Sequence, residues 1–300
     1  VLAYATETSS NRLAVFDRKG APARVLEEDA SIYLLDVAPD GKRAAVSVRT
    51  RATGLMDIWI YDLARGTSAP LTFGEGGDRY PIWSADGADV LYPNDSQTDG
   101  TIFRKPADGR GQAELITGTP AGQWAFGWSR DGRWLVVGTQ ADQTADDLYR
   151  YDRDTRKLAP LVQTRANDSA GALSPDERWL AYVSEQSGRS EVYVRALGGE
   201  DGLWQISTQG GALPLWRADG RELYFVTPQK RLMVVDVDTR RGFVYSAPRE
   251  LFGALFNGGN SFDRFYAPMP DGTGFVVDVL RARSTSLLTL VTSWTAKAGK

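Results

Sequence analysis

Apolar positions along this chain fall in short alternating runs, never on a helical stripe. Arg43-Ala44-Ala45-Val46-Ser47-Val48, Trp134-Leu135-Val136-Val137, Trp179-Leu180-Ala181-Tyr182-Val183 and Leu223-Tyr224-Phe225-Val226 are rich in β-branched and aromatic side chains. Each is followed, after a polar loop, by a second alternating run: Asp57-Ile58-Trp59-Ile60-Tyr61, Asp147-Leu148-Tyr149-Arg150-Tyr151, Glu191-Val192-Tyr193-Val194 and Leu232-Met233-Val234-Val235. Period-two alternation bounded by Gly, Asp and Pro predicts strands. No stretch predicts a long amphipathic helix.

The runs are set in register by a repeated tight turn. Trp83-Ser84-Ala85-Asp86-Gly87 has counterparts ending on Asp40, Asp131, Asp176, Asp219 and Asp271, so the steps are 46, 45, 45, 43 and 52 residues. A fixed period of this length marks a repeat architecture. An inner strand enters each turn, two alternating strands follow, and a short outer strand such as Ala69–Phe73 or Trp204–Ser207 closes the unit. Four antiparallel strands per unit, without helices, predict an all-β fold, a β-propeller of four-stranded antiparallel blades. Trp83, Trp128 and Trp216, just before their turns, are expected to fill space between blades. Residues 1–30 hold a further strand pair, Leu2–Ala5 and Leu13–Asp17, then Ala23–Leu26. Counting middle hairpins gives seven blades; six, with N-terminal strands completing the last, is the alternative count. The whole of 1–300 reads as a single propeller domain, and a start at Val1 without a leader pattern reads as part of a longer chain.

Composition narrows the chemistry. With 300 residues, 42% of them hydrophobic, the chain can bury a large core, and a net charge of −3 offers no basic footprint for nucleic acid. Cysteine and histidine are both absent, which removes disulfides, thiolate sites and the usual activator of a serine nucleophile. There is no Gly-x-Ser-x-Gly elbow, phosphate loop or kinase motif, and no apolar run long enough to span a membrane. The pair Asp146-Asp147 and the run Glu27-Glu28-Asp29 are expected to be solvated charge.

The Trp-Ser-x-Asp-Gly turn and the Asp57-Ile58-Trp59-Ile60-Tyr61-Asp62 strand resemble the TolB-like propeller repeats of bacteria. Leu71-Thr72-Phe73, Asp78 to Ser84, Ser184 to Val194, Trp204 to Thr208 and Ser293-Trp294-Thr295-Ala296 are similar to one subgroup, the propeller C-terminal to bacterial serine/threonine protein kinases. The resemblance covers almost the whole chain. It implies a sensing or protein-binding module and supplies no catalytic residues. The chain departs from the pattern at Asp176-Glu177, where Gly is lost, and at Pro268-Met269, where Trp-Ser is lost.

The turn aspartates are expected to be structural, since Asp bonds its own turn backbone and Gly supplies positive φ. The opposite face carries loops of irregular length that lead into the innermost strands and therefore ring the channel mouth. Asp78, Arg79, Trp124, Asp168, Asp263 and Arg264 lie there and are the candidate ligand contacts. The expected function is a non-catalytic propeller that binds a protein, peptide or small ligand on this face, with no cofactor, no metal and no nucleic acid. It would serve as the sensor or scaffold of a bacterial signalling protein, on the extracytoplasmic side of a membrane or in the cytoplasm. The alternatives are a propeller hydrolase or lyase with a divalent metal in the channel, and the gating propeller of a prolyl-oligopeptidase-like enzyme.

Overall fold

A computed structural model describes residues 2–4, 11–50, 53–74, 76–94, 101–117, 123–140, 146–198, 202–253, 264–280 and 289–291. Among these there is no helix, and therefore none long and apolar enough to cross a membrane. The strands form six antiparallel blades, not seven. Blades 1 to 5 follow in chain order over residues 32–70, 82–117, 123–162, 168–205 and 212–253, each running from the innermost strand outwards. Blade 6 is split. Its inner strands, Tyr266–Pro268 and Gly274–Leu280, come from the C-terminal part, and its outer two, Asn11–Asp17 and Pro22–Ala30, from the N-terminal part. Asn11–Asp17 pairs with Gly274–Leu280 over seven residues without a register shift. The N-terminal hairpin that counts as a seventh blade in the sequence is thus the missing half of the last one. Leu2–Tyr4 and Thr289–Val291 form a separate two-stranded ribbon.

The second strand of each blade buries both of its faces, because a blade is packed between two others, while the outermost strands stay largely exposed. Leu13 belongs to the junction of blades 6 and 1, whereas Ala14 next to it belongs to the junction of 5 and 6. Val90 and Tyr92 face blade 1, and Leu91 between them faces blade 3. The buried apolar side chains accordingly fall into six clusters, one per junction. Two of the turn tryptophans also tie blades together. Trp83 Nε1 donates to Asp36 O at 3.2 Å, and Trp216 Nε1 to Ala172 O at 3.1 Å, from equivalent positions on the inner strands of blades 2 and 5.

The turn aspartates bond to their own turns. Oδ1 of Asp40, Asp86, Asp131, Asp176, Asp219 and Asp271 accepts the backbone N–H two residues on, in all six blades. In each, the residue after the aspartate takes a positive φ, between 58° and 73°. That explains five glycines, and it puts Glu177 in a left-handed conformation that costs a side chain about 1 kcal/mol or more.

The seam between blades 5 and 6 carries an ionic network. Arg18, beyond the N-terminal strand, donates to both oxygens of Glu222 on blade 5, at 2.9 and 2.8 Å, and to Gly272 O at 3.2 Å. Tyr224 Oη donates to Glu222 Oε2 at 2.5 Å, and Arg217 lies 3.4 Å from the same oxygen. Burial alone would raise the Glu222 carboxyl, but the bonds from Arg18 and Tyr224 outweigh it and hold the group below its ordinary value. Its stabilisation is present above the unfolded carboxylate pKa of about 4.3 and is lost as pH falls through the folded value. Glu222→Gln is expected to cost about 1–2 kcal/mol at pH 7 and less at acid pH. Thermal melts of the two proteins against pH check this, and parallel profiles would contradict it.

Candidate functional site

Counting back from each turn aspartate aligns the inner strands. Seven residues before it stand Tyr33, Arg79, Trp124, Ser169, Ala212 and Arg264; eight before stand Ile32, Asp78, Gln123, Asp168, Gly211 and Asp263. All six candidate residues from the loop-rich face therefore share two neighbouring positions at the entry to the inner strands. Backbone irregularity is concentrated there. The ladders of blades 1, 3, 4 and 5 slip register at this point, and Tyr80, Ala170 and Leu213 take positive φ of 47°, 52° and 54°. Such bulges re-aim side chains that regular pleating would send between the blades.

Arg264 shows the result. Its guanidinium donates through Nη1 to Asp36 Oδ1 of blade 1 at 3.2 Å, and through Nη2 to Phe126 O of blade 3 at 3.2 Å. Blade 3 lies directly across a six-bladed ring from blade 6, so this side chain reaches across the central channel. Asp36 also accepts the Trp83 backbone N–H of blade 2 at 3.0 Å, so four blades meet on one ion pair. About a fifth of each side chain remains accessible. Burial pushes the Asp36 carboxyl above its ordinary value, with Arg264 and the Trp83 N–H opposing the shift. Leu34, Leu35, Pro81, Ile82 and Phe126 line, together with Arg264, a cavity of about 20 Å³, room for about one water. The channel is plugged at this level.

The other candidates separate. Arg79 is exposed, and Trp124 is half-buried against the cluster of blades 3 and 4. Asp78 is buried; its Oδ1 accepts from Asn94 at 2.5 Å, while its backbone N–H reaches Met56 O of blade 1 at 2.8 Å. Asp168 has no exposed surface, and its Oδ2 accepts the Thr164 N–H at 3.0 Å. Burial raises the Asp168 carboxyl, with Ser184 and Thr164 opposing and the charge of Asp147 adding to the shift. Asp78 and Asp168 thus pin loop to strand, and Arg79 and Trp124 are the candidates that face outwards in part. Asp263 lies outside the described residues.

Sequence reasoning missed Asp36. Its position, four before the turn, holds Ile82, Gly127, Ala172, Leu215 and Ala267 in the other blades, so a lone charge among apolar residues was the available signal. It also misread Asp147, which is buried and bonded by Gln163 Nε2 at 3.3 Å rather than solvated. Asp57 and Glu191 occupy the same place at the start of the third strand and are buried too. Thr50 Oγ1 donates to Asp57 at 2.6 Å, and Gly210 N donates to Glu191 at 3.0 Å. These carboxylates tie strand ends to loops. Among the described residues no group of three or more acidic side chains is placed to share a metal ion.

No family model matches the chain. Among curated proteins it is similar to the uncharacterized peptidase YuxL of Bacillus subtilis, 28% identical over 203 residues that make up 52% of this chain and 31% of that one. It is also similar to the Tol-Pal system protein TolB of Wolinella succinogenes, 26% identical over 131 residues, 44% of this chain and 31% of that one. The chain thus spans about a third of the length of either relative. Among solved structures, the putative TolB from Agrobacterium tumefaciens superposes with a TM-score of 0.74 at 20% identity, over 92% of this chain and 99% of that one. The fold is that of the TolB-like β-propellers.

Proposed function

We propose that this propeller is a non-catalytic binding module that engages a protein or peptide at the channel mouth on its loop-rich face. The observation that carries this reading is the inner-strand entry. Arg79 and Trp124 stand at the position from which Arg264 plugs the channel, and they are accessible where Asp78 and Asp168 are not. An exposed arginine and a partly exposed tryptophan, in the same strand-entry position as the arginine that bridges the channel, are what a protein contact uses. The opposite face offers short turns whose aspartates are occupied by their own backbone. Similarity to TolB supports a binding role. The resemblance to kinase-linked propellers supports a sensor or scaffold of a longer bacterial signalling protein, with the propeller on the extracytoplasmic side.

The test compares wild-type protein with Arg79→Glu and Trp124→Ala as baits in the host cell. Loss of the same captured partner by at least about tenfold in both variants is the expected outcome, with the melting temperature of Arg79→Glu within about 1–2 °C of wild type and that of Trp124→Ala lowered by its lost packing but still cooperative. Partners captured equally by all three baits would sink the assignment to this face. A second reading is favoured by the YuxL similarity, namely that the propeller gates a peptidase domain. The sequence of the parent gene separates the two: a kinase or membrane anchor supports the sensor, and a Gly-x-Ser-x-Gly hydrolase domain the gate.

A further inference from the structure

Propeller blades diverge with distance from the axis, so their junctions open towards the rim unless large side chains fill them. Two junctions here stay open at the same place. Between blades 1 and 2 lies a cleft of about 490 Å³, and between blades 3 and 4 one of about 450 Å³. Part of their walls corresponds. Tyr92 and Tyr182 stand six after their turn aspartates, and each stacks on a third-strand ring: Phe103 at 6.1 Å and Tyr193 at 5.9 Å. Two residues beyond those rings, Lys105 and Arg195 reach to the preceding blade's outer segment, Lys105 Nζ to Leu71 O at 2.8 Å and Arg195 Nη1 to Leu161 O.

The clefts differ at the mouth. Where the second has Gln163, two residues past the carbonyl that Arg195 engages, the first has Phe73, which is 78% exposed. The second cleft shows that packing of this junction does not require an aromatic side chain there. Phe73 stands with Lys105 Nζ 5.2 Å from its ring centre, opposite the Tyr92–Phe103 stack. Asp78 and Asn94, already joined to each other, line the floor, and the Gly109–Gly111 turn lines the outer wall.

We infer that the cleft between blades 1 and 2 binds a neutral saccharide. Its volume is within the roughly 300–1,000 Å³ range of small-molecule sites. Aromatic faces offer contact to the C–H faces of a pyranose, and carboxylate, amide and turn groups supply acceptors and donors around its hydroxyls. The cleft does not call for an ionic ligand, because Lys105 and Asp78, the charged residues of its lining, have opposite signs and leave it without net charge. This site shares Asp78 with the inner-strand entry but includes neither Arg79 nor Trp124, the residues proposed for protein contact.

The experiment is titration of the intact 300-residue protein with cellotriose, maltotriose and chitotriose, followed calorimetrically and by amide NMR. At least one is expected to bind at millimolar concentration or tighter, shifting the amides of Thr72, Gly109 and Gly111. Phe73→Ala should weaken it about tenfold without change in melting temperature, since the ring is exposed, and Phe73→Trp should retain it. Leu203→Ala, in the second cleft, should leave it unchanged. No shift at tens of millimolar with any of the three would overturn the inference. So would saccharide binding that survives Phe73→Ala, or occupation of the cleft by a peptide alone. None of these results bears on the Arg79 capture experiment.

Discussion

Deleting residues 1–30 is expected to leave no folded ring, although the deletion removes only two of the strands described in the six blades. Asn11–Asp17 is hydrogen-bonded along its whole length to Gly274–Leu280, and Leu13 and Ala14 are completely buried. Leu13 is part of the junction between blades 6 and 1, and Ala14 and Phe16 of the junction between 5 and 6. Losing the segment therefore opens two of six interfaces and strips Arg18 from Glu222. Full burial of a large apolar side chain contributes about 1.5–3 kcal/mol, so Leu13, Phe16 and Leu26 together approach the roughly 5–15 kcal/mol that separates a folded domain from its unfolded chain. Near-UV circular dichroism and sedimentation should show a non-cooperative or aggregated species. A synthetic peptide of residues 11–30 should restore a cooperative melt, because the closure is non-covalent. A deletion protein that melts cooperatively at the wild-type temperature would refute this account.

Arg264→Ala is expected to cost about 2–3 kcal/mol at pH 7, somewhat below the figure for fully buried pairs because a fifth of each partner is accessible. The pH dependence carries the sharper content. The folded Asp36 carboxyl is raised by burial, with Arg264 the first force opposing that rise. A raised folded pKa means stability that is present below the unfolded value, about 3.9, and lost as pH climbs through the folded one. Removing Arg264 lifts the folded value further, so the variant should lose more at pH 7 than at pH 4. Adding Asp36→Asn should recover part of the loss, since no buried charge is then left alone. Melting temperatures of the single and double variants at both pH values decide the matter; a deficit independent of pH would mean that Arg264 acts by packing alone. Because its charge serves the ring, reversal at Arg264 would confound folding with binding. Arg79, exposed, is the cleaner probe.

Much of this was legible before any coordinates. The six turns were, because Asp86 Oδ1 and the positive φ of Gly87 are satisfied within a few residues, and local chemistry leaves a local signature. Glu177 departs from that signature and still adopts the turn, held by the same local bonds as the others: its N–H donates to Ser174 O at 2.9 Å, and Ser174 Oγ and the Arg178 N–H donate to Asp176 Oδ1. The candidate positions were legible as a row, but their roles were not. Arg79 and Arg264 read alike in sequence, each following an aspartate, yet one is exposed and the other crosses the channel. Asp147 looked like surface charge because burial by a loop, like its bond to Gln163, joins residues separated by 16 positions.

What the sequence by itself determined was the repeating blade: period-two alternation, the tight turn, and the tryptophans placed before the turns to fill space between blades. Only the tertiary structure decided the number of blades, the plugged channel and the open rim clefts. Each of these depends on pairing between distant segments, Asn11–Asp17 with Gly274–Leu280 or Arg264 with Asp36 and Phe126. Such pairings depend on how many wedges close a circle, which no single repeat encodes.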